Sequence, residues 1–208
     1  MKVAVLGGTG AMGGAVAKQL SRNNFVVIGS RDPTRAEEAA KGFKGATGAD
    51  YATATREAEA AVFAIPYSAI GEAAALANEL RGKLVISMFN PLKLEGGLLH
   101  YSLEKGSAAE ELAALLPASR VATAFNNVPS SIFEEEEPVP MDILVAADSK
   151  KTFDEAAVLV RSVPNLRPLY VGPLSQARMV ERMTALVLNL AKLNKTGALA
   201  TRFVSRKG

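Results

Sequence analysis

The sequence has no cysteine, no tryptophan and a single histidine, His100. Without thiols there is no disulfide, no thiolate zinc site, no iron–sulfur cluster and no Cys–His nucleophile. One imidazole excludes multi-histidine metal sites and obliges any Ser–His–Asp triad to use His100. Long apolar runs are also missing. No stretch approaches the about 18 apolar residues of a spanning helix, and the longest candidate, Met183–Leu193, carries Asn189 and Lys192. The apolar opening Val3–Ala17 is broken by five glycines and has no basic segment beyond Lys2, so it reads as folded structure and not as a secretion signal. These absences predict a cytoplasmic protein with no membrane partner and no metal. Its chemistry must come from a bound cofactor or from Lys, Arg, Tyr and carboxylates.

Among 208 residues the net charge is only +3. That is too mild for a nucleic-acid binder and suits small anionic ligands. The chain reads as alternating strands and helices. Strands are expected at Lys2–Leu6, Phe25–Gly29, weakly at Tyr51–Thr53, then at Ala61–Ile65, Leu84–Ser87, Arg120–Phe125, Met141–Ala146 and Arg167–Val171. Helices are expected up to about Asn23, over Arg35–Phe43, Ser68–Leu80, Ser107–Leu116, Lys151–Ser162 and Ser175–Asn194, with Gly96–Gly106 a loop. Ser107 and Glu110 form a capping box. Such alternation means a doubly wound α/β parallel sheet with both faces covered. The acidic run Glu134–Glu137, followed by Pro138 and Pro140, reads as a solvated connection. It suggests a Rossmann domain over 1–147 and a small C-terminal lobe over 148–208.

Gly8-Thr9-Gly10-Ala11-Met12-Gly13 matches G-x-G-x-x-G, directly after the first strand and at the start of a helix. In that setting the glycines allow a tight turn, close backbone approach to a pyrophosphate and close helix–strand packing. The helix N-terminus offers free N–H groups to phosphate. The second strand ends Gly29-Ser30-Arg31, with Arg35 one helical turn on. An acid there would select NAD; Ser30 and Arg31 instead supply a hydroxyl and a guanidinium fork for a 2′-phosphate. Asp32 is the one dissenting residue. Tyr101 and Lys105 spell Y-x-x-x-K, the acid pair of short-chain dehydrogenases, but Gly96, Gly97 and Gly106 bracket them and argue against a shared helix.

The stretch Lys2–Arg31 resembles the start of F420-dependent NADP oxidoreductases. The block Leu166–Phe203 resembles their C-terminal part, and "AIP" at 64–66, "NP" at 90–91 and "SAAEELAALLP" at 107–117 keep the likeness collinear between them. The resemblance implies an enzyme that passes a hydride between NADP(H) and the deazaflavin coenzyme F420, with no catalytic side chain named. It implies that Thr9–Met12 hold the pyrophosphate, that Ser30, Arg31 and Arg35 hold the 2′-phosphate, and that Ile65, Pro66 and Ser130 flank the ribose and nicotinamide. Asn90, Asn126, Pro129, Leu199 and Ala200 are implied at the deazaflavin; Asn126 stands where members of that family carry His. A homodimer is implied as well.

Two other functions fit parts of the sequence: an NADPH-dependent flavin or ferric reductase, and a non-enzymatic NADP(H) sensor. The C-terminal block argues against the sensor, which needs no second pocket. Its helix carries Met179, Met183, Leu186, Val187 and Leu190 at helical spacing, expected mostly to pack on the sheet. Lys195, Arg202, Arg206 and Lys207 then give a tail with four positive charges and no acid, suited to an anionic coenzyme.

Overall fold

The first half of the chain alternates β1 (Lys2–Leu6), α1 (Ala11–Leu20), β2 (Phe25–Ser30), α2 (Pro33–Ala40), β3 (Ala46–Asp50), α3 (Tyr51–Glu57) and β4 (Ala60–Phe63). A 3-10 helix (Tyr67–Leu76) leads to β5 (Leu84–Ser87), and β6 (Leu92–Glu95) and β7 (Leu98–Tyr101) form a hairpin. Then come α4 (Ala108–Leu115), β8 (Arg120–Thr123), the single turn α5 (Ser130–Phe133), β9 (Met141–Ala146), α6 (Lys150–Arg161), β10 (Leu166–Gly172) and, after a short 3-10 turn, α7 (Ala177–Asn194). This is a computed structural model that describes residues 1–206, so Lys207 lies outside the described residues.

The main sheet has six parallel strands in the order β3-β2-β1-β4-β5-β8. The strand order reverses between β1 and β4, and in doubly wound sheets ligands bind beyond the strand ends at that point. The apolar run of β1 follows from having helices on both sides. Val3 and Val5 enter one core and Ala4 and Leu6 the other, all fully buried, as the two-residue period of a strand requires.

β9 and β10 pair in parallel and form a second, two-stranded sheet. It is joined to the main sheet through one bridge, Ala122 to Ala147, and through the Thr123 hydroxyl, which accepts a 2.8 Å bond from the Ala146 N–H. The expected division after residue 147 falls between β9 and α6, across which β9 pairs with β10.

Several elements differ from the sequence expectation. The third strand is Ala46–Asp50, and Tyr51–Thr53 belongs to α3, whose first turn is capped by Asp50 accepting from the Thr53 N–H. Gly96–Gly106 is not all loop. Gly96 and Gly97 both have positive φ (56° and 80°), which closes a two-residue hairpin turn. The alanine-rich stretch after Pro66 winds as a 3-10 helix. On α7, Met179, Leu186 and Leu190 face solvent instead of the sheet; of the expected stripe only Val187 is buried.

Candidate functional site

The β1–α1 turn is built on glycine for steric reasons. Gly7 has φ +83°, and its N–H donates to the Gly29 carbonyl at 3.0 Å. A Cβ on Gly13 would lie 2.2 Å from the Gly7 carbonyl oxygen, so no other residue fits there. Four helices, α2, α3, α4 and α6, have an Asp or Ser side chain capping the first turn. α1 does not: its N-cap is Gly10, with no side-chain bond. Its first-turn N–H groups and the helix dipole therefore face the cleft uncapped, as an anion site requires.

The cleft above the β1/β4 reversal encloses about 640 Å3. Thr9, Gly10, Ala11, Met12 and Gly13 form its floor, Ser30, Arg31 and Arg35 one end, and Ile65, Pro66 and Asn90 the other. The Arg31 side chain is 79% exposed and reaches only a loose 3.8 Å pair with Glu72. Ser30 is buried; its Oγ accepts from the Asp32 N–H at 3.2 Å, which leaves the hydroxyl proton free. Asp32 turns out to be the α2 N-cap, accepting from the Thr34 and Arg35 N–H groups at 3.0 and 3.3 Å. Its charge is thus directed at a helix N-terminus. Two tyrosines line the cleft and stay neutral. Burial pushes the Tyr51 hydroxyl up, and the 2.7 Å bond that Tyr67 donates to Glu111 pushes it up to about 12.

An inner chamber of about 160 Å3 opens off the cleft, sharing Met12, Met88 and Asn90 with it. Its wall also includes Phe125, Asn126, Asn127, Pro129, Ser130 and Thr184. Phe125, wholly buried, has φ +63°, a conformation that non-glycine residues adopt only where the surroundings hold it. It re-aims the chain so that Asn126 enters the wall. Asn126 Nδ2 donates to the Phe89 carbonyl at 3.0 Å, and Asn90 Nδ2 donates to the Asn126 carbonyl at 3.0 Å. The Thr184 hydroxyl lies 3.1 Å from Asn90 Oδ1 and 2.9 Å from the Asn126 carbonyl, tying α7 to the ends of β5 and β8. Asn126 Oδ1 is buried without a donor. A buried acceptor left unpaired is costly, so this oxygen suits a ligand N–H or O–H.

Not every expected residue lies on these walls. Gly8 sits behind the loop, where a Cβ would meet Ile28 at 2.9 Å and the Val5 carbonyl at 3.1 Å. Leu199 and Ala200 are half-buried on a strap after α7 and line neither chamber. Gly197 and Ala198 of that strap border a shallow outer depression of about 420 Å3 that also touches Pro129 and Ser130. The sequence reading omitted Gly7, Tyr51, Tyr67, Met88 and Thr184 from the site. Only Gly7 had a visible signal, as the glycine directly after an apolar strand. Tyr101 and Lys105 share no helix: Tyr101 ends β7, and its hydroxyl donates to Glu181 at 2.7 Å. A larger open groove of about 1000 Å3, near Lys2, Phe25 and Phe43, lies at the amino ends of the strands, away from the glycine loop.

Residues 2–91 match the family model described as NADP oxidoreductase, coenzyme F420-dependent. The F420-dependent NADP reductase of Methanothermobacter marburgensis is 36% identical over 94% of this chain and 94% of its own length. That of Methanocaldococcus jannaschii is 33% identical over 91% of this chain and 92% of its own. A solved structure from Arthrobacter sp. FB24 has the same fold, with a TM-score of 0.85 at 23% identity over 99% of this chain and all of the other. Similarity that runs the length of both chains, through the glycine loop and the C-terminal block alike, means that this protein belongs to the F420-dependent NADP reductase family.

Proposed function

We propose that the 640 Å3 cleft binds NADP(H) and that the adjoining inner chamber receives the deazaflavin ring of F420, so that a hydride passes between the two. The observation that carries this reading is the shared wall. Met12, Met88 and Asn90 belong to both spaces, so a ring in the chamber lies against whatever ends the cleft. NADP(H) and F420 supply the hydride chemistry themselves. What this chain contributes is position and exclusion of water. The uncapped α1 N-terminus fits the pyrophosphate; Ser30, Arg31 and Arg35 fit the 2′-phosphate; Ile65 and Pro66 bound the nicotinamide end, with Ser130 at the chamber edge. Asn126 Oδ1 offers an acceptor to a ring N–H. No residue of the chamber wall need act as acid or base, and no metal is required.

We further infer a cytoplasmic homodimer, divided near residue 147 into a Rossmann domain and a C-terminal lobe, with no nucleic-acid partner. Among the described residues no helix is long and apolar enough to cross a membrane. In support of a dimer, Met179, Met183, Leu186, Leu190 and Leu193 on α7 are spaced alternately four and three residues apart, and all but the half-buried Met183 are exposed. That is the spacing of a helix–helix seam. The test of function is steady-state reduction of F420 by NADPH, followed by the loss of deazaflavin absorbance. Saturable reduction supports the reading. NADPH oxidation with free flavin or ferric iron but none with F420 overturns it.

A further inference from the structure

After α7 the chain does not trail into solvent. Lys195 ends the helix in the left-handed region (φ 53°), Gly197 (φ 76°) turns the chain, and the segment 198–203 runs back to β9. There it meets Asp142, an acid in the otherwise apolar strand MDILVA and 1% exposed. The Asp142 N–H donates to the Thr201 carbonyl at 2.8 Å, and its Oδ2 accepts from the Phe203 N–H at 2.6 Å. Arg167, directly opposite on β10, donates to both carboxylate oxygens at 2.7 and 2.8 Å and also to the Phe203 carbonyl at 2.6 Å. The chamber residue Asn127 completes the clasp, with Nδ2 at 2.9 Å from the Asp142 carbonyl and 2.7 Å from Thr201 Oγ1.

Packing does not explain this acid. A buried charge is expensive, and an apolar residue would serve β9 at least as well. Of the tail's own apolar groups Ala200 rests on the core, but beyond it Phe203 is 51% and Val204 92% exposed, so they do not hold the segment 201–203 down. The polar clasp is what fixes the strap, and the strap carries Leu199 and Ala200 past the chamber while Gly197 and Ala198 border its outer depression.

We propose that Asp142, which lines neither chamber, is a positioning residue whose latch on Thr201 and Phe203 sets the affinity for F420 and leaves that for NADP(H) unchanged. This rests on the reading above, in which the chamber takes the deazaflavin. The discriminating variant is Phe203→Pro. It deletes one N–H donated to Asp142 and leaves the Asp142–Arg167 pair intact, at a residue too exposed to endanger the core. Asp142→Asn is the second variant.

Two quantities are read on each purified full-length variant: amide hydrogen exchange across 198–203, and binding of NADPH and of F420 separately. The expected result is faster exchange in the strap, a Kd for F420 weakened by about tenfold, the scale of one charge-assisted hydrogen bond, and a Kd for NADPH within about twofold of wild type. A freed strap with unchanged F420 affinity overturns the latch, as does equal weakening of both cofactors or a strap whose exchange is unaltered by Phe203→Pro. A wild-type chain that does not bind F420 at all overturns the underlying functional reading, whatever the exchange data show.

Discussion

Arg31→Ala tests the cofactor end of the site with little interference from the fold. The Arg31 side chain is 79% exposed and its pair with Glu72 is 3.8 Å long. Surface pairs of this kind contribute roughly 0–1 kcal/mol, so removing the guanidinium should barely change stability. A charge-assisted contact to a 2′-phosphate is worth roughly 1.5–3 kcal/mol, which at about 1.4 kcal/mol per decade is on the order of 10- to 100-fold in Kd for NADPH. Ser30 retains a free hydroxyl proton and Arg35 remains, so part of the phosphate affinity survives. NADH has no group at this position, and its Kd should move less than about twofold. Because the contact is exposed, the loss should shrink as salt rises above physiological strength. The absence of tryptophan simplifies the titration, since NADPH fluorescence can be followed without interference from indole emission. Equal losses for NADPH and NADH, or a wild-type protein that prefers NADH, would refute the 2′-phosphate role.

Tyr101→Phe should lower turnover less than about tenfold, against the 10²–10⁴ expected for a lost proton donor, because the hydroxyl is committed to Glu181 away from both chambers; a thousandfold fall at unchanged NADPH affinity would reinstate it as the acid. Gly13→Ala should abolish detectable NADPH binding and lower Tm, as its Cβ would meet the Gly7 carbonyl oxygen at 2.2 Å; calorimetry with both readouts decides. Burial raises the Glu181 carboxyl above its ordinary 4.5, against the donors Tyr101, Ala108 and Ala109, which lower it. A raised folded-state value makes the group's contribution fullest below about 4.5 and lost as pH rises through the raised value. Glu181→Gln should remove that descending component from stability measured by urea unfolding between about pH 4 and 8; an unchanged pH profile contradicts the assignment.

Much of the fold was legible because its signals are local. A strand buried on both faces reads as a continuous apolar run, and β1, β5 and β9 were placed to the residue. The 107–115 helix announced itself through Ser107, whose hydroxyl caps the Glu110 N–H at 3.2 Å. β3 was missed because Ala46–Asp50 is a half-exposed edge strand of small residues, with no alternation to read. The hairpin had a signal, Gly-Gly between the alternating segment Leu92–Glu95 and the segment Leu98–Tyr101, that the glycine-rich setting obscured. Within the site, the loop and the Ser30–Arg31 end were readable from chain-local chemistry. Thr184 and Met88 were not, since only the tertiary fold brings α7 and the end of β5 to one wall. Asp142 and Arg167 are single charges in largely apolar strands; their meaning is a cross-strand pairing that single-sequence pattern does not contain.

The central claim is that the two cofactors meet directly across the wall shared by Met12, Met88 and Asn90. Its most direct test uses NADPH carrying deuterium at the transferable C4 position, with F420 as acceptor in ordinary water. Direct transfer predicts that the label appears at C5 of the reduced deazaflavin, close to one deuterium per turnover. Reduced F420 bearing solvent hydrogen at that carbon, or no reduced F420 while NADPH remains bound, contradicts the account.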